Sequence, residues 1–297
     1  MKHQLQSTLL VAGLLALPAL VQAQPTAHYV PGVEGIKGAS LPPPGWYVRD
    51  YNVAYTSGRL NDSAGHEVGV ADLEAFTYAN VPRVIWITDT KVLGGFLGVD
   101  ALLPLVYSKL EAGPSFARFD DACFGIGDLF AEATLSWHVQ QFDFSFGAGV
   151  WMPTGDSGYP THAGSGYWTP MLTAGATWYI DKEKTWAVSA LNRYEFNTEQ
   201  EDTDITPGQA YTLEWGISKA LSKTVDVGAV GYYQQQVTTD SGAGSINDRD
   251  RVAAIGPEIS VLCPKHILFT SFRYLYEFMA EGRAQGHTFA LTFTKKF

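Results

Sequence analysis

The sequence has little of three features that define common protein classes: long apolar runs, cysteine and positive charge. Beyond residue 23, no stretch approaches the roughly 20 consecutive apolar residues that a transmembrane helix requires, which excludes a helical membrane protein. The 297 residues include only 2 cysteines. Lys and Arg total 20 against 30 Asp and Glu, and the formal net charge of −10 argues against nucleic acid as a partner.

The one clear apolar run lies at the start of the chain. It spans residues 9–21, is interrupted by Pro18, and is followed by small residues at positions −3 and −1 of a cleavage after Ala23. The run is too short for a membrane-spanning helix, and its layout is typical of a cleaved secretory signal. We therefore predict that residues 1–23 are removed and that the mature chain starts at Gln24.

From Gly45 onward, apolar and polar residues alternate in blocks separated by turn residues, as in transmembrane strands. The last block shows this most clearly, because Phe289, Leu291 and Phe293 share one face while small and hydroxyl residues share the other. One face suits lipid and the other suits a wet lumen. The pattern predicts about twelve strands. They lie near residues 46–57, 70–87, 92–103, 126–139, 142–152, 169–180, 185–197, 209–220, 224–237, 251–262, 266–278 and 287–297.

The connections between these blocks alternate in length. Every second connection is very short, as at 88–91, 140–141 and 263–265, whereas the others are longer and rich in Gly, Pro, Asp and Ser. Bacterial barrels show this difference between periplasmic turns and external loops. Residues 46–297 are therefore predicted to form an all-β, transmembrane, antiparallel up-and-down β-barrel of a Gram-negative outer membrane. Its last strand closes against its first, and the lipid bilayer is its immediate partner.

This topology separates the two cysteines. Cys123 falls in a predicted external loop and Cys263 in a periplasmic turn, on opposite sides of a hydrocarbon layer of about 25 Å. A disulfide requires Cα atoms within about 7 Å of each other. We therefore predict no disulfide, although two cysteines in an exported chain ordinarily favour one.

Polar residues on the strand faces opposite the apolar ones are predicted to line the lumen. Acids outnumber bases in this set, which indicates either a polar channel whose field favours cations or a packed barrel in which Arg193 and Arg273 tie carboxylates together. An eight-stranded barrel is just filled by side chains, so about twelve strands leave a narrow bore. The predicted lumen-lining residues are Asp72, Glu74, Asp100, Asp128, Glu132, Arg193, Glu195, Glu214, Asp226, Glu258, Arg273 and Glu277.

Aromatic residues cluster toward strand ends, as in the interfacial girdles of membrane proteins. Tyr159, Tyr167 and Trp168 lie in one long connection and are predicted to form an external lip. At the C-terminus, the alternating apolar residues that include Phe293 and end at Phe297 resemble the signal by which the barrel-assembly machinery recognises its clients. That machinery is accordingly a predicted partner.

Catalytic interpretations have little support in the sequence. Barrel hydrolases use Ser-His or Asp-His groups, but Ser136 and His138 share an inward face near the periplasmic end. His66 and Glu67 are adjacent, so in a strand they would point to opposite faces, and no histidine–carboxylate cluster has metal-ligand spacing. We predict no catalytic residue, no metal and no other cofactor.

The segment before the first strand, residues 24–45, is too rich in Pro and Gly to be a strand or helix. It is predicted to be either a periplasmic leader or a plug that threads into the lumen. This segment and the start of the barrel resemble the meta-pathway phenol-degradation (SphA-like) outer-membrane proteins. The resemblance is carried by Tyr29-Val30-Pro31-Gly32, residues 35–40, Leu41-Pro42-Pro43-Pro44-Gly45, Trp46-Tyr47-Val48-Arg49-Asp50-Tyr51 and Arg59-Leu60-Asn61-Asp62, and more weakly by Gly127-Asp128 and Pro153-Thr154-Gly155.

The resemblance implies an outer-membrane channel that admits small hydrophobic or aromatic solutes and is associated with aromatic-compound catabolism. An alternative function is a structural or adhesive barrel that binds a partner through its external loops, for which the acidic, glycine-rich loop 238–250 is the candidate. A barrel lipid hydrolase or protease is the third and least supported function. The family implies no binding residues for this chain.

Overall fold

The computed structural model describes residues 27–114, 116–157, 161–201, 203–245 and 247–297. Three predictions lie outside these residues: the signal at 1–23, the mature start at Gln24, and the position of Tyr159 in the external lip. Within the described ranges, no helix is long and apolar enough to cross a membrane.

Strands supply the regular structure of the described residues. Fourteen of them form one antiparallel sheet, and the other four pair as short ladders, β2 with β3 and β12 with β15. In chain order the strands are β1 (Gly45–Ser57), β2 (Leu60–Asn61), β3 (Glu67–Val68), β4 (Glu74–Val92), β5 (Gly95–Leu102), β6 (Leu105–Ala112), β7 (Phe119–Ile126), β8 (Leu129–Val139), β9 (Phe142–Met152), β10 (Thr169–Tyr179), β11 (Trp186–Glu195), β12 (Ile205–Thr206), β13 (Ala210–Ala220), β14 (Val225–Gln236), β15 (Ser241–Gly242), β16 (Arg251–Cys263), β17 (Leu268–Glu281) and β18 (His287–Lys296).

Twelve of these strands close into a barrel. Going round the wall, the order is β1, β4, β5, β8, β9, β10, β11, β13, β14, β16, β17 and β18. The last strand returns to the first, with Tyr47 opposite Lys296 and Thr56 opposite His287. The predicted up-and-down antiparallel barrel of twelve strands is confirmed.

The region predicted to be an external loop at 104–125 contains two further strands. β4 is 19 residues long, and its second half pairs with β5 while its first half pairs with β6, which in turn pairs with β7. The β6–β7 hairpin therefore extends the wall on the external side. Cys123 lies in β7, Cys263 ends β16 at the short-turn end, and both cysteines are free.

The turn between β4 and β5 lies further along the chain than the prediction at 88–91. Leu93 and Gly94 form it, with φ angles of 51° and 81°. Positive φ at both central residues is the conformation that suits a two-residue hairpin. The polar stretch at 88–91 instead belongs to β4, where the register with β5 is irregular beyond Ile87.

Side chains alternate between the lipid-facing and inner surfaces of the wall. On β18, Ala290 is buried while Phe289 and Leu291 are exposed. At the periplasmic rim, the exposed Trp46 and Trp86 stack with ring centroids 5.0 Å apart. An apolar outer band bordered by aromatic side chains is what an outer-membrane barrel presents to lipid.

Residues 27–44, here called the inner segment, lie inside the barrel. At the periplasmic end, Lys296 Nζ donates to the carbonyl oxygen of Pro44 at 3.2 Å. At the external end, His28 Nε2 lies 2.9 Å from Asp128 Oδ2. A wall glycine makes room between these ends, because a Cβ atom at Gly216 would come within 3.1 Å of the Ile36 Cα atom. The inner segment therefore runs the length of the bore.

Candidate functional site

Glu34 of the inner segment is held by side chains of the wall. Its carboxylate accepts hydrogen bonds from Arg49 Nη1 at 2.9 Å, Tyr51 Oη at 2.9 Å and Arg83 Nη1 at 3.1 Å, and Arg193 Nη2 lies 3.7 Å away. Three guanidinium groups and the Tyr51 hydroxyl surround this buried carboxylate, so its negative charge is balanced by positive partners. The ionised carboxylate therefore ties the inner segment to β1, β4 and β11.

Two of these arginines also pair with carboxylates of the wall. Arg83 Nε donates to Asp100 Oδ1 at 2.8 Å, and Arg193 Nη1 donates to Glu214 Oε2 at 2.6 Å. The Arg83 Nη2 atom also lies 3.6 Å from Glu132 Oε2. Because a lone buried charge is costly, this sharing fixes each guanidinium group in one position.

Wall carboxylates also bind the backbone of the inner segment. Glu214 Oε1 accepts from the amide of Gly32 at 2.7 Å, and Glu258 Oε2 accepts from the amide of Ile36 at 3.1 Å. Arg273 Nε lies 3.2 Å from Glu258 Oε2 and completes that pair. The inner segment has no strand partners in this region, so these wall carboxylates supply the acceptors that its buried amide groups would otherwise lack.

At the external end, His28 sits among aromatic and polar side chains. Its imidazole stacks on Trp151 with ring centroids 4.8 Å apart and meets Tyr167 edge-on at 5.3 Å. Its Nε2 atom lies 2.9 Å from Asp128 Oδ2, and its Nδ1 atom lies 3.1 Å from Thr169 Oγ1. All five residues are buried. We call these five residues the His28 box.

The backbone next to the His28 box is held by Glu195, whose carboxylate accepts from the amides of His28 at 2.8 Å and Tyr29 at 2.9 Å. The Tyr29 ring packs in a cluster with Phe130. The Tyr29 hydroxyl donates a hydrogen bond to Glu214 Oε2 at 2.6 Å.

Comparison with known proteins gives the family. The sequence profile described as "Putative MetA-pathway of phenol degradation" matches residues 57–293. The chain belongs to this family. No curated protein shows significant sequence similarity to it.

A solved channel structure shows the same architecture as this member of the phenol-degradation family, and two other barrels are more distantly similar. An outer-membrane channel from Pseudomonas putida F1 is 13% identical, with 91% of this chain and 100% of that chain covered and a TM-score of 0.75. The KdgM porin is 10% identical over 84% of this chain and 99% of its own, with a TM-score of 0.47. The translocator domain of the autotransporter NalP from Neisseria meningitidis is 13% identical over 88% and 91%, with a TM-score of 0.46. This chain therefore has the fold of an outer-membrane β-barrel.

Of the predicted lumen-lining residues, nine are buried, and Asp226 is half-buried beside Lys37, whose Nζ lies 3.0 Å from Asp226 Oδ1. Most of these interior charges form ion pairs, whereas Glu195 and Glu277 accept hydrogen bonds from amide and tyrosine hydroxyl groups. The nine buried residues are Asp100, Asp128, Glu132, Arg193, Glu195, Glu214, Glu258, Arg273 and Glu277.

Asp72 and Glu74 are placed differently from the prediction, because both are exposed. Asp72 precedes β4, and Glu74 lies on the face of β4 that points away from the lumen. The prediction failed because the buried Ile85 makes the inner face of this strand as apolar as the outer one. Alternation therefore does not tell its faces apart, and the inward-facing Arg83 was missed.

The external lip also differs from the prediction. Trp168 is exposed, but Tyr167 is only 1% exposed and lies inside the barrel beside His28. Glu34 and Arg49 were missed as well. The signal that could have found Arg49 is the acidic excess predicted for the interior, since buried carboxylates need cationic or amide partners.

The described residues contain no group of three or more His, Cys, Asp or Glu side chains that could hold a metal ion. The loop proposed as an adhesive surface, 238–250, also turns partly inward. Asp240 Oδ1 accepts from the amide of Gly208 at 2.8 Å, and Asp250 Oδ2 accepts from Arg283 Nη1 at 3.0 Å. Two of the acidic side chains of this loop are therefore buried in the external end of the barrel.

Proposed function

We propose that the protein is an outer-membrane channel for small hydrophobic or aromatic solutes that supply aromatic-compound catabolism. The observation that carries the proposal is the inner segment, which runs through the bore from Pro44 to His28 and is held by hydrogen bonds and ion pairs. Contacts of this kind break and re-form, so displacement of the inner segment would open a path along the bore. Family membership supports the link to aromatic degradation.

The width of that path follows from what now occupies it. Twelve strands leave space beyond the side chains that fill an eight-stranded barrel. In this barrel the remaining space holds the inner segment alone. Its close contacts with the wall require small residues, as where Ala39 lies against Gly175. A single aromatic ring with short substituents fits such a path.

The polarity of the wall supports amphipathic rather than purely apolar solutes. Once the inner segment moves, it uncovers the carboxylates of Glu214 and Glu258, together with Arg193 and Arg273. At the external end it uncovers aromatic rings. A solute with an apolar ring and a polar substituent could contact both kinds of surface.

Deleting residues 24–44 from the chain tests this function. In planar bilayers, the deletion variant should carry a larger and steadier ion current than the intact chain. In cells that lack other porins, the intact chain should increase the uptake of a radiolabelled aromatic growth substrate supplied at low concentration. The absence of current in the deletion variant, together with unchanged uptake in cells, would overturn the proposal.

A further inference from the structure

We propose that the His28 box is a binding site for neutral hydroxylated aromatic solutes, whose ring takes the place of the His28 imidazole at the external end of the bore. This inference rests on the proposed function and specifies its solute class and the first site that a solute occupies.

The box already holds a flat ring. The face of Trp151 stacks on the imidazole at an interplanar angle of 18°, and Phe130 lies 4.7 Å from Trp151 between ring centroids. Trp151 is 8% exposed, and its Nε1 donor has no hydrogen-bond partner among the described residues. A buried donor without a partner is unfavourable, so a ligand with an oxygen substituent that extends past the edge of the Trp151 ring would gain an interaction that His28 does not supply.

The polar side of the box accepts hydrogen bonds. Asn197 Nδ2 donates to the carbonyl oxygen of Gly208 at 2.7 Å, which fixes the orientation of its amide group. Its Oδ1 atom therefore accepts the hydrogen bond that the Thr169 hydroxyl donates at 2.8 Å. The Thr169 hydroxyl can then only accept a hydrogen bond from the ring nitrogen of His28, and the carboxylate of Asp128 can also only accept one. A ligand in this site must therefore donate hydrogen bonds, and a phenolic hydroxyl does so.

The charge of Asp128 limits which aromatic ligands can bind in the His28 box. Its two carboxylate oxygens accept from the amides of Gly155 at 2.9 Å and Ser165 at 2.6 Å. Burial opposes ionisation of this carboxyl, but the hydrogen bonds from His28 and the two amides lower the pKa of Asp128. The amides of Gly155 and Ser165 stay in place when the imidazole leaves, so the Asp128 carboxylate keeps these two donors. A carboxylate attracts a hydroxyl donor and repels an aromatic carboxylate, so phenols fit the box and benzoates do not.

The ligand and His28 compete for the same space, so removing the imidazole should create the free site. We would titrate phenol, catechol, toluene and benzoate into the full chain and its His28→Ala variant in lipid nanodiscs, using calorimetry. Phenol should bind His28→Ala at least about tenfold more tightly than the intact chain, because no side chain has to be displaced. Toluene should bind more weakly than phenol because it lacks a donor, and benzoate should not bind.

Matched double variants locate the binding. Adding Trp151→Leu to His28→Ala should abolish phenol binding, whereas adding Trp178→Leu should not, because Trp178 faces lipid and is 45% exposed. Adding Thr169→Val, which keeps the shape of the side chain, should weaken catechol more than phenol. This milder change keeps the inference testable if the Trp151 variant does not fold.

The inference fails if His28→Ala binds phenol no more tightly than the intact chain, if benzoate binds as well as phenol, or if the Trp151 and Trp178 variants behave alike. These results are separable from the proposed function. Solute uptake without phenol binding to His28→Ala would refute the proposed binding site but not the proposed channel function. Phenol binding without current or uptake would refute the channel function but not the binding site.

Discussion

Replacing Glu34 by glutamine should release the inner segment and increase the current through the barrel. Glutamine keeps the shape of the side chain and one acceptor oxygen, but it removes the negative charge that three arginines share. Arg83 keeps Asp100 at 2.8 Å, and Arg193 keeps Glu214 at 2.6 Å. Among the described residues, Arg49 alone would lose its carboxylate partner, which lies at 2.9 Å.

The size of the effect follows from that single unpaired charge. Removing one partner of a buried ion pair costs about 3 to 5 kcal/mol. The Arg49 side chain is 23% exposed, so water compensates part of this loss. A loss of about 2 to 3 kcal/mol is therefore expected, which raises the ratio of released to held inner segment about 30-fold to 150-fold.

Single-channel recordings in planar bilayers at neutral pH would measure this as the fraction of time spent open. Glu74→Gln is the matched control, because it makes the same change at an exposed position of β4 that faces away from the lumen. Adding Arg49→Gln to Glu34→Gln should lower the open fraction again, since the double variant has no unpaired arginine.

Two results would refute this reasoning. One is an open fraction in Glu34→Gln that matches both the intact chain and Glu74→Gln. The other is a further rise in the open fraction when Arg49→Gln is added. Either would show that the contacts of Glu34 do not hold the inner segment in the bore.

Two further predictions concern other parts of the chain. Cys263 is exposed at the short-turn end, so a membrane-impermeant maleimide should label it in opened cells and not in intact ones. A mobility shift on a non-reducing gel that Cys123→Ser abolishes would be evidence against two free thiols. Deleting Phe297 should lower the outer-membrane yield without changing the thermal unfolding of the barrel that does insert, and an unchanged yield would exclude a role in recognition by the assembly machinery.

The barrel itself could be predicted from the sequence because its signals are local. Period-two alternation requires only neighbouring residues, and the length of each connection can be read directly from the chain. The same logic explains where the prediction failed. In β4, Val84 and Trp86 face lipid while Ile85 and Ile87 face inward. Both faces of this strand are therefore apolar, and the alternation does not show which face points to the lumen.

What the sequence by itself determined was the wall: its class, its strand number, its closure and its lipid-facing surface. Only the tertiary structure decided what the wall encloses. The Tyr29 hydroxyl meets Glu214 across 185 residues, and the Ile36 amide meets Glu258 across 222. A segment without a repeating pattern finds such partners by shape and charge across the barrel, and the local rules of strand formation do not predict these contacts. The placement of the inner segment, the three arginines around Glu34 and the His28 box therefore became visible only in three dimensions.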